Sequence, residues 1–215
     1  GDITDTSSLV SVISKNKFDE IYNLAAQSHV HTSFQVPEYT ANINALGTVK
    51  LLETIKIFSP ESKFYNAATS ELYGKILEPI QNENTKFNPQ SPYAISKLYS
   101  HLMAINYRDS YNLFSCSGIL FNHESPRRGK SFVTRKITES VAKIKLGLIE
   151  SFKIGNLNAK RDWGYAKEYV EAMYLMLQQE IPEEFVIGTG KNYSVRFFIE
   201  KTFKLAGMPI VWEGE

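Results

Sequence analysis

Strand-length apolar runs alternate with helix-period stretches along the whole chain. Leu9, Val10, Val12 and Ile13 follow the capping-type residues Thr4 to Ser7 and predict a short first helix. Residues 19–26 read as a buried strand, followed by the polar loop Gln27 to His31. Pro37 opens a periodic run through Tyr39, Ile43, Leu46, Val49, Leu52 and Ile55, which predicts one long helix. A strand at 63–68 comes next, then a polar, proline-bearing loop at 78–90. A helix from Pro92 continues through Leu98, Leu102, Ile105 and Tyr107. The second half predicts strands at 113–120, 151–154, 184–187 and 210–215, and helices at 132–146, 169–176 and 195–205. Such alternation predicts an α/β fold with a doubly wound, mainly parallel sheet. Beyond Asn122 the loops turn basic and the strands shorten. A division follows into a first region, 1–122, and an interleaved second region, 123–215.

Composition narrows the classes. At 215 residues, 43% hydrophobic and 22% charged, the chain matches an ordinary globular protein of one large core or slightly more. Its net charge of +1 gives no footprint for nucleic acid or an acidic membrane. No apolar run reaches membrane-spanning length and no signal-peptide pattern opens the chain, so the expected location is the cytoplasm. The single cysteine, Cys116, excludes an internal disulfide. Gly1 to Asp5 read as the exit from an earlier strand, so the chain is expected to be an internal piece of a longer protein, inactive alone.

One spacing carries candidate chemistry. Tyr93 and Lys97 are four residues apart at a helix start, about 40° apart around the axis and about 6 Å along it. A phenol with a pKa of about 10 is a poor base near neutrality. A neighbouring cation favours its phenolate, so the pair suits removal of a proton from an alcohol. Upstream, the 63–68 strand runs into Thr69, Ser70 and Glu71. Open α/β sheets bind ligands at the carboxyl ends of their strands, where these five residues are expected to converge. His29 and His31 have no Cys or acidic partner at ligand spacing, so no metal site is predicted.

The longer motifs resemble the extended short-chain dehydrogenase/reductases and, among them, the GDP-mannose 4,6-dehydratases. The resemblance rests on Tyr-Asn-Leu-Ala-Ala-Gln-Ser-His-Val at 22–30, Thr-Ser-Glu-Leu-Tyr-Gly at 69–74 and Ser-Pro-Tyr-Ala at 91–94. It continues in Gly-Ile-Leu-Phe-Asn-His-Glu-Ser-Pro-Arg-Arg-Gly at 118–129, Phe-Val-Thr-Arg-Lys at 132–136 and Lys-Arg-Asp-Trp-Gly at 160–164. It implies a Rossmann-like fold whose first β-α unit, with its glycine-rich turn, would precede Gly1, with 1–122 binding the dinucleotide and 123–215 the substrate.

By the same resemblance the cofactor is NADP, contacted by Asp2, Ile3, Leu24, Ala25, Ala26, Gln27, Ser28, Tyr39, Lys97, His123 and Arg128. The implied reaction converts GDP-mannose to GDP-4-keto-6-deoxymannose, with Thr69, Glu71, Tyr93 and Lys97 as catalytic residues. Ser70, Asn122, Lys136 and Arg161 are implied at the substrate, and a homodimer or tetramer is implied for the assembly. Glu71 favours dehydration over the epimerisation of related enzymes, which need no eliminating carboxylate. A related epimerase or reductase is the alternative, and a non-catalytic nucleotide-sugar-binding module is the alternative for the isolated piece.

Overall fold

A computed structural model describes residues 1–214. The elements run in chain order as α1 (Thr6–Ile13), β1 (Glu20–Asn23), α2 (Val30–Gln35), α3 (Pro37–Ala41), a π-helical turn (Asn42–Leu46) and α4 (Gly47–Phe58). Then come β2 (Lys63–Ala67), a 3-10 turn (Ser70–Leu72), α5 (Pro92–Tyr111), β3 (Ser115–Leu120), β4 (Asn122–Glu124) and α6 (Val133–Lys145). The chain finishes with β5 (Lys160–Tyr165), α7 (Ala166–Leu177), β6 (Glu184–Ile187), β7 (Asn192–Ser194) and α8 (Val195–Ala206).

Two compact units emerge: Gly1–Phe121 with Val170–Ile187, and Asn122–Tyr169 with Gly188–Glu215. The first holds a four-stranded sheet in the order β1-β2-β3-β6, every pairing parallel. All six residues of β3 are buried, as a central parallel strand requires. The core beside it joins Leu51, Leu52 and Ile55 of α4 to Phe64 of β2 and to Ala104 and Tyr107 of α5. Each such aliphatic or aromatic side chain gains about 1.5–3 kcal/mol on leaving water. The second unit is built on α6 packed against α8, with Ile137, Val141, Val195, Ile199 and Phe203 buried between them. It also carries a small mixed sheet in the order β4-β5-β7.

The α/β class with a parallel sheet is therefore as expected, and several details differ. The single long helix from Pro37 is interrupted by the π-helical turn, which places Asn44 in the interior. Residues 151–154 form no strand; Phe152 and Ile154 instead pack beside the α6–α8 core. Residues 210–214 are also without regular structure, and Val211 is exposed, while Glu215 lies outside the described residues. Residues 160–165, for which the sequence pattern predicts no strand, form β5.

Candidate active site

The site is assembled where β2 ends and α5 begins. After Ala67 the chain leaves the ladder, and the amide of Ala68 donates to the Gly118 carbonyl at 2.9 Å, holding the exit onto β3. Thr69 is extended and caps the 3-10 turn, its Oγ1 accepting from the Glu71 amide at 3.3 Å. Leu72 and Tyr73 close that turn downward into a buried cluster with Ala68, Ile119, Phe87 and Leu98. With the following residues anchored, the polar members Ser70 and Glu71 stay partly accessible. Gly74 turns the chain away with φ +51°, in close approach to the Asn88 carbonyl. The Asn88 amide donates to the Leu72 carbonyl at 2.9 Å, fastening the 74–90 loop beneath the turn.

Helix α5 starts by the same logic of local satisfaction. Ser91 is the N-cap, its hydroxyl accepting from the Ala94 amide at 3.1 Å, and Pro92 occupies the first turn, where a missing N–H costs nothing. Tyr93 and Lys97 fall on its buried face, 9% and 4% exposed. The Lys97 ammonium donates to the Ala67 carbonyl at 2.8 Å, and burial pulls its pKa down to about 8. The 3-10 turn packs against α5. Thr69, Ser70, Glu71, Tyr93 and Lys97 thus belong to two adjoining segments of one unit. Such a set supplies a phenol, a partly desolvated cation and a carboxylate, the groups needed to move protons on an alcohol and its neighbouring carbons.

The 24–28 segment follows β1 without regular structure, with Leu24, Ala25 and Ser28 exposed and Ala26 and Gln27 half-buried. Asn44 clasps it. The Asn44 side chain accepts from the Gln27 amide at 2.9 Å, donates to the Gln27 carbonyl at 3.0 Å, and donates to the Ser96 hydroxyl at 3.1 Å. One buried amide therefore ties the loop after β1 to the residue preceding Lys97. Asp2 turns its carboxylate onto the amide and hydroxyl of Thr4, both at 2.8 Å, which lowers its pKa. Ile3 packs its side chain against Gly47, and Tyr39 is exposed.

Asn122, His123, Arg128, Lys136 and Arg161 all lie in the second unit. Asn122 and His123 are on β4, and His123 pairs in register with Gly164 of β5. The imidazole stacks on the Tyr169 ring, centroids 4.6 Å apart and planes 21° apart. A Cβ on Gly164 would come within 2.3 Å of that same ring, so the packing excludes any side chain there. Arg128 forks onto the Glu124 carboxylate at 2.7 and 2.9 Å, donates to the His123 carbonyl at 2.6 Å, and lies over the Phe132 ring. Thr134 adds its hydroxyl to Glu124 at 2.6 Å. Lys136 and Arg161 are exposed. Among the described residues no group of three or more His, Cys, Asp or Glu could hold a metal ion, and no helix is long and apolar enough to cross a membrane.

A family model described as GDP-mannose 4,6 dehydratase matches residues 1–215. The chain belongs to that family. It is 58% identical over 217 residues to the GDP-mannose 4,6 dehydratases of Cricetulus griseus and Homo sapiens, covering 100% of this chain. It spans 58% of the length of those relatives. Among solved structures, RMD from Pseudomonas aeruginosa complexed with NADPH superposes with a TM-score of 0.91 at 25% identity, over 97% of this chain and 71% of that one.

Several residues of this GDP-mannose 4,6-dehydratase family chain escaped the sequence reading. Asn44 was hidden inside an apolar helical period. Its only trace was a polar residue between Ile43 and Ala45 where the interior face continues. Glu124, inside the Asn-His-Glu-Ser-Pro-Arg-Arg-Gly stretch, emerges as the anion that holds Arg128. Asn23, Asn66, Ser117 and His101 sit singly within strand and helix runs, where no local pattern marks them as partners. They are buried and hydrogen-bonded to one another.

Proposed function

We propose that the protein of which this chain forms a part is an NADP-dependent dehydratase converting GDP-mannose to GDP-4-keto-6-deoxymannose. The observation that carries the reading is the buried Lys97 ammonium, one helical turn from Tyr93 and fixed to the end of the strand that leads into Thr69 and Glu71. Family membership over the whole chain supports the substrate.

The residues present fit a nicotinamide dinucleotide. Lys97 spends one hydrogen on Ala67, and its other two suit the Tyr93 phenol and a ribose hydroxyl. The exposed 24–28 segment offers backbone groups beside the sheet's carboxyl end, where dinucleotides bind in open α/β folds. We assign cofactor contacts to Asp2, Ile3, residues 24–28, Tyr39, Lys97, His123 and Arg128. The NADPH complex of RMD supports the phosphorylated form. When bound, NADP supplies an acceptor that takes the C4 hydride and returns it at C6.

The chain's own residues handle the protons. Lys97 favours the phenolate of Tyr93, which takes the proton of the sugar 4-hydroxyl. Thr69 hydrogen-bonds near O4. The resulting C4 ketone acidifies C5–H, and Glu71 removes that proton and passes it to the departing C6 hydroxyl, which leaves as water. The proton held by Tyr93 balances the one that C5 regains. Ser70, Asn122, Lys136 and Arg161 are assigned to the substrate, the two exposed cations suiting diphosphate oxygens. A homo-oligomer belongs to the same reading, supported by Ile95, Tyr99 and Leu102, which α5 leaves 57%, 43% and 50% exposed.

The test is the mass of the product formed from GDP-mannose by the full-length protein with NADP. Loss of one water supports dehydration. A product of unchanged mass points to an epimerase and removes the assignment.

A further inference from the structure

A row of polar side chains crosses the parallel sheet directly beneath the proposed catalytic pair. Asn23 of β1, Asn66 of β2 and Ser117 of β3 are register partners across two parallel pairings. Interior positions of such a sheet are ordinarily apolar, yet all three are buried, and His101 of α5 joins them at 2% exposure.

Hydrogen bonds link the row from strand to strand and on to α5. Asn23 Nδ2 donates to Asn66 Oδ1 at 3.2 Å and to the Thr48 hydroxyl at 3.1 Å. Asn66 Nδ2 donates to Ser117 Oγ at 3.4 Å, and that hydroxyl lies 2.9 Å from His101 Nδ1. Ser117 Oγ accepts from Asn66 and still has a hydrogen and a second lone pair, so it bonds His101 Nδ1 in either tautomer of the imidazole. The ring is also held edge-on against Phe87, centroids 5.2 Å apart.

We propose that His101 is a positioning residue, which fastens α5 to this polar row and so sets the place of the Lys97 ammonium. His101 lies one helical turn after Lys97 on the same buried face. Lys97 bonds to the carbonyl of Ala67, the residue after Asn66, while His101 bonds to Ser117 on the adjacent strand. Two polar bonds four residues apart thus fix both the rotation and the axial position of the helix over β2 and β3. An apolar residue at 101 would fill the space without specifying either. The charged group felt by His101 is Arg108 on its own helix, itself gripped by Glu184 of β6 at 2.7 and 2.9 Å. From β3 the imidazole meets Ser117, and from the 74–90 loop it meets Phe87; neither carries charge. The proposal rests on the assignment of Lys97 and Tyr93 to the dehydratase reaction.

The experiment compares His101→Phe and His101→Asn in the full-length enzyme, reading kcat, KM for GDP-mannose and the acid limb of the kcat–pH profile. Phe keeps a ring and removes the hydrogen-bonding nitrogen, whereas Asn keeps an amide that can bond Ser117 close to the position of Nδ1. In His101→Phe, kcat is expected to fall about tenfold and the acid limb to move up by about one pH unit, as Lys97 supports the Tyr93 phenolate less well. KM is expected to stay within about twofold, and His101→Asn to restore the limb. Should His101→Phe fail to fold, Ser117→Ala is read in the same way, with a smaller shift in the same direction. A limb that stays in place while only thermal stability drops overturns the proposal. If the wild type does not dehydrate GDP-mannose, the underlying reading fails instead; an active wild type with unmoved variants removes only the role of His101.

Discussion

The Lys97 ammonium donates a 2.8 Å hydrogen bond to the carbonyl of Ala67, the last residue of β2. That bond joins the helix bearing Tyr93 to the strand that delivers Thr69 and Glu71. Burial brings Lys97 to about 8, so the free enzyme carries the cation below that pH and loses it above. The sign follows: kcat/KM should decline as pH rises through about 8, with Tyr93 less supported as its neighbour discharges. Lys97→Met should lower kcat by about 100-fold or more and abolish that alkaline limb. Steady-state kinetics across pH check both.

Tyr93→Phe in the full-length protein removes the group proposed to accept the proton of the sugar hydroxyl. Turnover should fall by at least about 1,000-fold, with GDP-mannose affinity nearly unchanged. A calorimetric titration beside the rate assay separates the two. Substantial residual turnover would assign the proton to another group.

Glu71→Gln should stop the reaction after oxidation at C4. A single-turnover absorbance trace should show reduced nicotinamide forming once and persisting. Normal deoxysugar formation by this variant removes Glu71 from the elimination step.

His101 gives the fold a pH dependence of its own. Burial, and secondarily the charge of Arg108, hold its pKa at about 4, below the usual value of 6.5. The unfolded chain therefore binds the proton first as pH falls. The stability contribution is complete above about 6.5 and is lost progressively toward pH 4, on the order of 3 kcal/mol in all. Urea unfolding of wild type and His101→Phe should show a steeper decline for the wild type over that interval. Parallel slopes would contradict it.

The turn after the Thr69–Glu71 segment has a sharp steric requirement. At Gly74 φ is +51°, and an added Cβ would lie 1.9 Å from the Asn88 carbonyl oxygen. Gly74→Ala should destabilise the protein by about 2–4 kcal/mol, since backbone must move on both sides. Chemical denaturation measures the loss, and activity should fall with it because the Ser70–Leu72 turn is fastened to the same loop.

Much of this arrangement was legible in the sequence because period and polarity agreed. Pro92 and Ser91 announced a helix start, and the strand into Thr69, Ser70 and Glu71 announced a strand end. The structure bears out both. The π-helical turn was not legible, since Ile43, Leu46 and Val49 fit an uninterrupted α-helix equally well. Three-residue strands such as β4 and β7 carry too few residues for alternation to show. The polar row was invisible for a different reason: Asn23, Asn66 and Ser117 are isolated within apolar runs, and only the sheet register makes them neighbours. Ser151 to Ile154 misled because their alternation serves a helix–helix core rather than a ladder.

The most direct test of the central claim follows the hydrogen at C4. GDP-mannose deuterated at that carbon is given to the full-length enzyme with unlabelled NADP, and the product is analysed by mass spectrometry and NMR. The account predicts a sugar lighter by one water with deuterium at C6. Deuterium still at C4, or a sugar that keeps all its oxygens, would contradict it.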